Sequence, residues 1–171
     1  MSLPEMMAGD VPIPPDDADH LTDLGNAARF VRLHGTRVRF VEGWTQWIVW
    51  DADASHWRRD TSGVRTIELA KDVPREMFTK ALESNDDKLR NAAKNAGQQR
   101  GLKAMVDLSK GDRLIQHDEL DADHWALGVQ TGWVDLHDGS HHDPDPAKLI
   151  TLVCPIGFDP DAECPRWLRA L

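Results

Sequence analysis

Between Val38 and Arg59 the chain alternates apolar and polar side chains, and it places four of its seven tryptophans there, at Trp44, Trp47, Trp50 and Trp57. An indole buries a large area, so a run this dense must cover at least one face of a sheet. Val38 and Phe40 share one face and Arg37 and Arg39 the other, Glu42-Gly43 turns the chain, and Trp44 to Trp50 returns it. A third run follows at Trp57-Arg58-Arg59. The pattern predicts a three-stranded antiparallel meander with at least one face buried.

Helical spacing brackets this meander. Leu24, Ala27, Ala28 and Val31 recur at helical intervals, Thr22 or Asp23 can cap the start, and Gly35 is placed to end it. From Val64 the stripe Ile67, Ala70, Met77, Phe78, Ala81 and Leu82 predicts a helix that Pro74 kinks or splits near Asp72. A further helix is expected from Asp86, capped by Ser84 or Asn85, with Leu89, Ala92, Ala93 and Ala96 inward. Gly97 and Gly101 weaken its join to a last helix carrying Leu102, Met105 and Val106.

After Gly111 the chain becomes extended and rich in turns. Val129 and Val134 flank a Gln130-Thr131-Gly132 turn, and Asp138-Gly139 suits the positive φ of a two-residue hairpin. Leu149 to Val153 reads as a strand, and Asp161 or Glu163 opens a short final helix containing Trp167. Residues 1–18 are rich in Pro and Asp without apolar periodicity, the signature of a flexible segment. Helix, meander, several helices and then strands, in that order, imply an α+β fold: a small antiparallel meander and a later hairpin packed with several helices. Residues 19–171 are expected to form one such domain.

Composition narrows the function. No apolar run approaches the roughly 20 residues of a membrane helix, and no signal sequence opens the chain, so a cytoplasmic protein without membrane partners is expected. Cys154 and Cys164 lack zinc-ribbon spacing, are each followed by Pro, and have no nearby His. They read as reduced thiols, not as nucleophiles. The formal net charge of −9 argues against a surface that coats DNA generally. Any DNA contact must come from a local patch. No phosphate-binding loop of the Walker type is present.

Several motifs carry a resemblance. Thr22-Asp23-Leu24-Gly25-Asn26-Ala27 is similar to an opening Asp-x-Gly-Asn-Ala helix, and Trp47-Ile48-Val49-Trp50-Asp51 with Trp57 to a Trp-rich strand pair. Leu120 to Gly139, and Phe158-Asp159-Pro160-Asp161-Ala162-Glu163-Cys164-Pro165-Arg166-Trp167, complete the set in order over about residues 20 to 171. Together they resemble the region of phage and plasmid DNA primase–helicases just ahead of the superfamily 3 helicase motor. The sequence departs from that pattern at Gly128 and Thr131, where Asn is usual, and at Asp138, where Thr is usual. The resemblance implies a non-catalytic accessory domain excised from a larger protein, with Met1-Ser2-Leu3 a cloning remnant and the motor following. It would assist DNA positioning or assembly of a homo-hexameric ring, and would need no cofactor. The implied partners are single-stranded or forked DNA and the helicase motor of the same polypeptide. The parent protein would be the ATP-dependent enzyme. A protein–protein interaction module that never meets nucleic acid is the alternative, and a metal-dependent hydrolase a weaker one.

The candidate contacts follow from charge. The segment from Lys88 to Arg113 is the most basic part of an acidic chain, and Lys88, Arg90, Lys94, Arg100 and Lys103 are candidates for a ridge that tracks phosphates. Asn91, Asn95, Gln98 and Gln99 would add hydrogen bonds. Arg58 and Arg59 beside Trp57 suggest a second contact, with base stacking if the indole faces solvent; burial of the meander tryptophans is the competing expectation. His137, Asp138, His141, His142, Asp143 and Asp145 have metal-ligand chemistry but lie amid turn residues, and Asp121 with Asp123 reads as a cap as readily as a metal pair. No catalytic residue and no metal ligand is assigned.

Overall fold

The computed structural model describes residues 21–163 and Arg169. The expected flexible segment at 1–18, Cys164 and the final helix around Trp167 lie outside these residues. The fold is α+β, and the chain divides into two compact units. One comprises residues up to Gly35 together with Val64–Arg113, and the other Thr36–Gly63 with Leu114 onward. Among the described residues, no helix is long and apolar enough to cross a membrane.

The first unit is helical: α1 (Asp23–His34), α2 (Val64–Ala70), α3 (Asp72–Ser84), α4 (Asp87–Ala96) and α5 (Gln99–Leu108). Thr22 caps α1, its Oγ1 accepting the Gly25 N–H at 3.2 Å. Gly35 ends the helix with a right-handed φ of −60°, and the reason it is glycine is space. A Cβ there would lie 2.4 Å from the Val31 carbonyl oxygen. The buried face of α1 is rotated from the expected stripe: Asn26, Ala27, Phe30 and His34 are inward, while Leu24 is 69% exposed.

Pro74 does split the second helical stretch. Lacking an N–H, it cannot bond the carbonyl one turn back, so α2 stops at Ala70 and α3 restarts beyond Lys71. Val73, Met77 and Ala81 of α3 are buried, but Leu82 and Phe78 at the edge of the expected stripe are exposed. Asn85 takes a left-handed φ of 51° to close α3, which leaves Asp86 to cap α4. Its Oδ1 accepts the N–H groups of Lys88 at 2.8 Å and Leu89 at 3.1 Å. Gly101 lies inside α5 where the α4–α5 corner is tightest. A Cβ there would come within 2.6 Å of the Asn95 carbonyl oxygen.

The second unit holds two four-stranded sheets. The first contains the expected meander, β1 (Val38–Val41), β2 (Gln46–Asp51) and β3 (His56–Asp60), plus a strand the pattern did not reveal, β4 (Leu114–Ile115). β4 pairs parallel to β1, giving the order β3-β2-β1-β4. Both faces carry buried side chains: Val38, Phe40, Trp47 and Val49 on one, Val41, Ile48, Trp50 and Trp57 on the other. The latter group forms a core with Ile115 and Leu120, where the Trp50 and Trp57 rings meet edge-to-face at 5.7 Å. The Trp57 indole N–H donates to the Pro146 carbonyl at 2.9 Å and its backbone N–H to that of Ile150 at 2.9 Å.

The second sheet has the order β7-β6-β5-β8, built from β5 (Ala126–Val129), β6 (Gly132–Asp135), β7 (His141–His142) and β8 (Val153–Cys154). Gln130-Thr131 makes the β5–β6 turn, and Gly132 follows with φ 143° and its Cα hard against β7, where a Cβ would lie 2.0 Å from the His142 carbonyl oxygen. The Asp138-Gly139 connection is wider than the expected two-residue hairpin. Asp135 and Ser140 close it, the Gly139 N–H donates to the Asp135 carbonyl at 2.8 Å, and Gly139 alone of the pair has positive φ. The strand expected at Leu149–Val153 begins only at Val153. Leu149 is left-handed (φ 50°), and the Asp121 carboxylate takes the N–H groups of Thr151 and Leu152 that a ladder would otherwise use. Gly128 packs beneath this segment: a Cβ would sit 2.6 Å from the Leu152 carbonyl oxygen, which accounts for glycine in place of a larger residue.

Candidate nucleic-acid interface

Helices α4 and α5 carry Lys88, Arg90, Lys94, Arg100 and Lys103, all within the helical unit. Ala93 and Ala96 fix the inward face of α4, so a turn of 3.6 residues sets Lys94 opposite them and Lys88 on the flank. On α5, Gly101, Leu102, Met105 and Val106 are inward, which leaves Arg100, Lys103 and Asp107 along the outer line. Neighbouring acids already engage part of this charge. Arg90 is ion-paired with Asp87 one turn before it, and Lys110 holds Asp107 at 2.7 Å. Lys88, Lys94, Arg100 and Lys103 are exposed and, among the described residues, have no ion-pair partner. Asn91, Asn95, Gln98 and Gln99 are exposed on the same two helices and their join.

A cleft of about 410 Å³ opens between the start of α1 and the α4–α5 corner. Asp23, Asn26, Asn95, Gln98 and Arg100 line it with polar groups, beside Leu21, Ala92 and Ala96. Asn26 is 5% exposed. Sequence reasoning used Asn26 only as part of a motif. The sequence carried no signal for it, because the expected stripe of Leu24, Ala27, Ala28 and Val31 leaves position 26 on the other side of the helix.

Arg58 and Arg59 sit on β3 in the other unit. Arg58 Nη1 donates to Asp51 Oδ2 at 3.1 Å, and the Arg59 guanidinium lies 3.5 Å above the Trp44 ring. Trp57 is 1% exposed, and Trp47 and Trp50 are also buried, so none of the three offers a face to a base. The meander tryptophans are core, apart from half-buried Trp44 beneath Arg59.

The histidine-rich stretch is drawn apart by its rings. His137 stacks on Trp125 at 4.1 Å, His142 on Trp133 at 4.2 Å, and His141 on Phe158 at 4.9 Å. His141 Nε2 is within 3.0 Å of Thr131 Oγ1 and His142 Nε2 within 2.9 Å of Ser140 Oγ. Among the described residues, no three His, Cys, Asp or Glu side chains gather as a metal site would require. Asp121 and Asp123 point to separate tasks, the first bonded to Thr151 and Leu152, the second accepting from Lys148 Nζ at 3.0 Å. That Lys148 ammonium hydrogen bond, followed by the Trp125 N–H, holds the Asp123 carboxyl below its ordinary value. Cys154 is a free, half-buried thiol on β8.

No curated protein matches the chain. A family model described as D5 N terminal like matches residues 27–171, which takes in most of α1, the four later helices and both sheets. The chain therefore belongs to the D5 N terminal like family, whose domain is found in phage and plasmid primase–helicase proteins.

Proposed function

We propose that this chain is a non-catalytic accessory domain of a phage- or plasmid-type primase–helicase, residues 19–171 working as one module beside the motor of the same polypeptide. It holds single-stranded DNA against the α4–α5 surface and so helps position the strand for the hexameric motor. The observation that carries this reading is the set of four exposed cations, Lys88, Lys94, Arg100 and Lys103, which among the described residues have no ion-pair partner, beside carboxamide side chains in a chain of net charge −9. Phosphates are held by such local excess of positive charge, and the carboxamides supply neutral hydrogen bonds to sugar and backbone. Arg90, already paired with Asp87, contributes less, and Arg58 and Arg59 supply a secondary contact from β3.

Titration of a labelled single strand of about 20 nucleotides at about 20 mM and about 200 mM salt tests the reading. Binding is expected to be weak and to fall steeply with salt, and the Lys94→Glu, Lys103→Glu double variant should lose at least about tenfold in affinity. Absence of binding at the lower salt would remove the proposal. A second reading rests on a different observation: Trp125, Leu152 and Ile156 of the strand-rich unit are 53%, 75% and 67% exposed. Apolar groups left in water favour a protein partner, and the domain would then serve ring assembly without touching DNA. Sedimentation of the full chain with and without DNA separates the two.

A further inference from the structure

We infer that the cleft between the start of α1 and the α4–α5 corner receives one unstacked nucleotide of a bound single strand, so that the surface holds a base as well as phosphates. The inference rests on the DNA reading above and deepens it. Its volume, about 410 Å³, falls in the range of small-molecule sites, roughly 300 to 1,000 Å³. Its chemistry is selective. Asn26, Asn95 and Gln98 each bring a carboxamide, which offers a donor and an acceptor on one plane, the complement of a base edge. Asp23 adds an acceptor for an exocyclic amine, Arg100 a fork for the phosphate, and Leu21 and Ala92 apolar contact.

Two details make this a built site instead of a surface dent. Asn26 is 95% buried, being 5% exposed, yet among the described residues its carboxamide makes one long contact, Oδ1 accepting from Arg29 Nη1 at 3.5 Å. Its amide nitrogen is not sealed off without a partner but stays open to solvent, and Asn26 lines the cleft, so a ligand there can meet it. Gln98 occupies the N-cap of α5 but makes no side-chain cap hydrogen bond, so its amide is likewise uncommitted to the helix. Arg100 belongs both to the cleft and to the α5 outer line of Arg100 and Lys103, which joins a base pocket to the phosphate track.

The test uses the full chain and a short single strand of alternating 2-aminopurine and thymidine. Anisotropy reports binding, and 2-aminopurine emission, which rises when a base leaves its stack, reports insertion. Saturating protein is expected to brighten the bound strand about twofold. The Asn95→Ala, Gln98→Ala variant should still saturate, about fivefold more weakly, but without the brightening, a loss that missing phosphate contacts alone would not produce. Asn26→Ala should do the same, with thermal melting checking that each variant is folded. Binding without brightening, together with dAMP leaving the Asn26, Asn95 and Gln98 side-chain amide signals unmoved in NMR, would overturn the cleft inference and leave the DNA reading intact. If dAMP moves those signals while the strand stays dark, the ligand is a free nucleotide and the strand assignment fails. No binding of the strand at low salt overturns the DNA reading itself.

Discussion

Asp121 shows how one side chain replaces a stretch of sheet. It adopts φ 51°, accepts the N–H groups of Thr151 at 2.7 Å and Leu152 at 3.1 Å, and takes the Thr151 hydroxyl on its other oxygen. Hydrogen bonds to a charged acceptor contribute more than neutral ones, and an alanine at this φ adds backbone strain. Asp121→Ala is therefore expected to lower unfolding stability by about 2 kcal/mol, and Asp121→Asn, which tolerates the conformation and keeps an acceptor, by about 1 kcal/mol. Urea unfolding followed by tryptophan emission measures both. Sequence alone offered Asp121 as a cap or half of a metal pair, because a clamp on residues thirty positions away leaves no local mark. Thr22, by contrast, was legible as the cap of α1, since capping is decided by its immediate neighbours. Between these lies the α4 cap: Ser84, Asn85 and Asp86 all have capping side chains, and only the left-handed turn at Asn85 selects Asp86.

Among elements, the α1–α3 contact is where charge bears on stability. Arg32 Nη2 donates to both Glu76 oxygens, at 2.7 and 2.9 Å, and Lys80 adds a contact at 3.0 Å. Burial by itself pushes the Glu76 carboxyl up, but the hydrogen bonds and charge of Arg32 and Lys80 together hold it below its ordinary value. A carboxyl lowered by folding stabilises above its unfolded pKa, and that contribution is lost as pH falls through the folded value. Arg32→Ala is expected to raise the Glu76 pKa, as read by carboxyl NMR titration, and to move acid unfolding to higher pH. The elements themselves were legible where period or punctuation is strong. Pro74 split α2 from α3 as its missing N–H requires, and the meander followed from its alternation. β4 was not legible, because two residues have no period and their partner, β1, lies across all the intervening helices. The candidate ridge was legible as composition, yet its pairing was not: Asp87 and Asp107 remove Arg90 and Lys110 from it only once the helices are drawn.

For the whole molecule, the chain alternates between its two units, the helical one taking residues up to Gly35 and Val64–Arg113, the strand-rich one the rest. Neither is a continuous segment, so cutting between Arg113 and Leu114 should yield no independently folded half. A chain ending at Arg113 lacks β4 against β1 and lacks the Pro146 and Ile150 carbonyls that receive Trp57. It is expected to be aggregation-prone, with tryptophan emission shifted to the red; a blue-shifted, monomeric fragment with a cooperative melt would contradict this. The family match, covering residues 27–171, likewise runs through both units without respecting either boundary.

That β4 pairs with β1 only after four helices have intervened has a consequence for biosynthesis. While the ribosome is still translating α5, the tryptophan-bearing hairpins have already been made, with the outer rim of β1 unclosed. The polypeptide must keep that adhesive border from neighbouring nascent chains until Leu114 and Ile115 emerge to seal it.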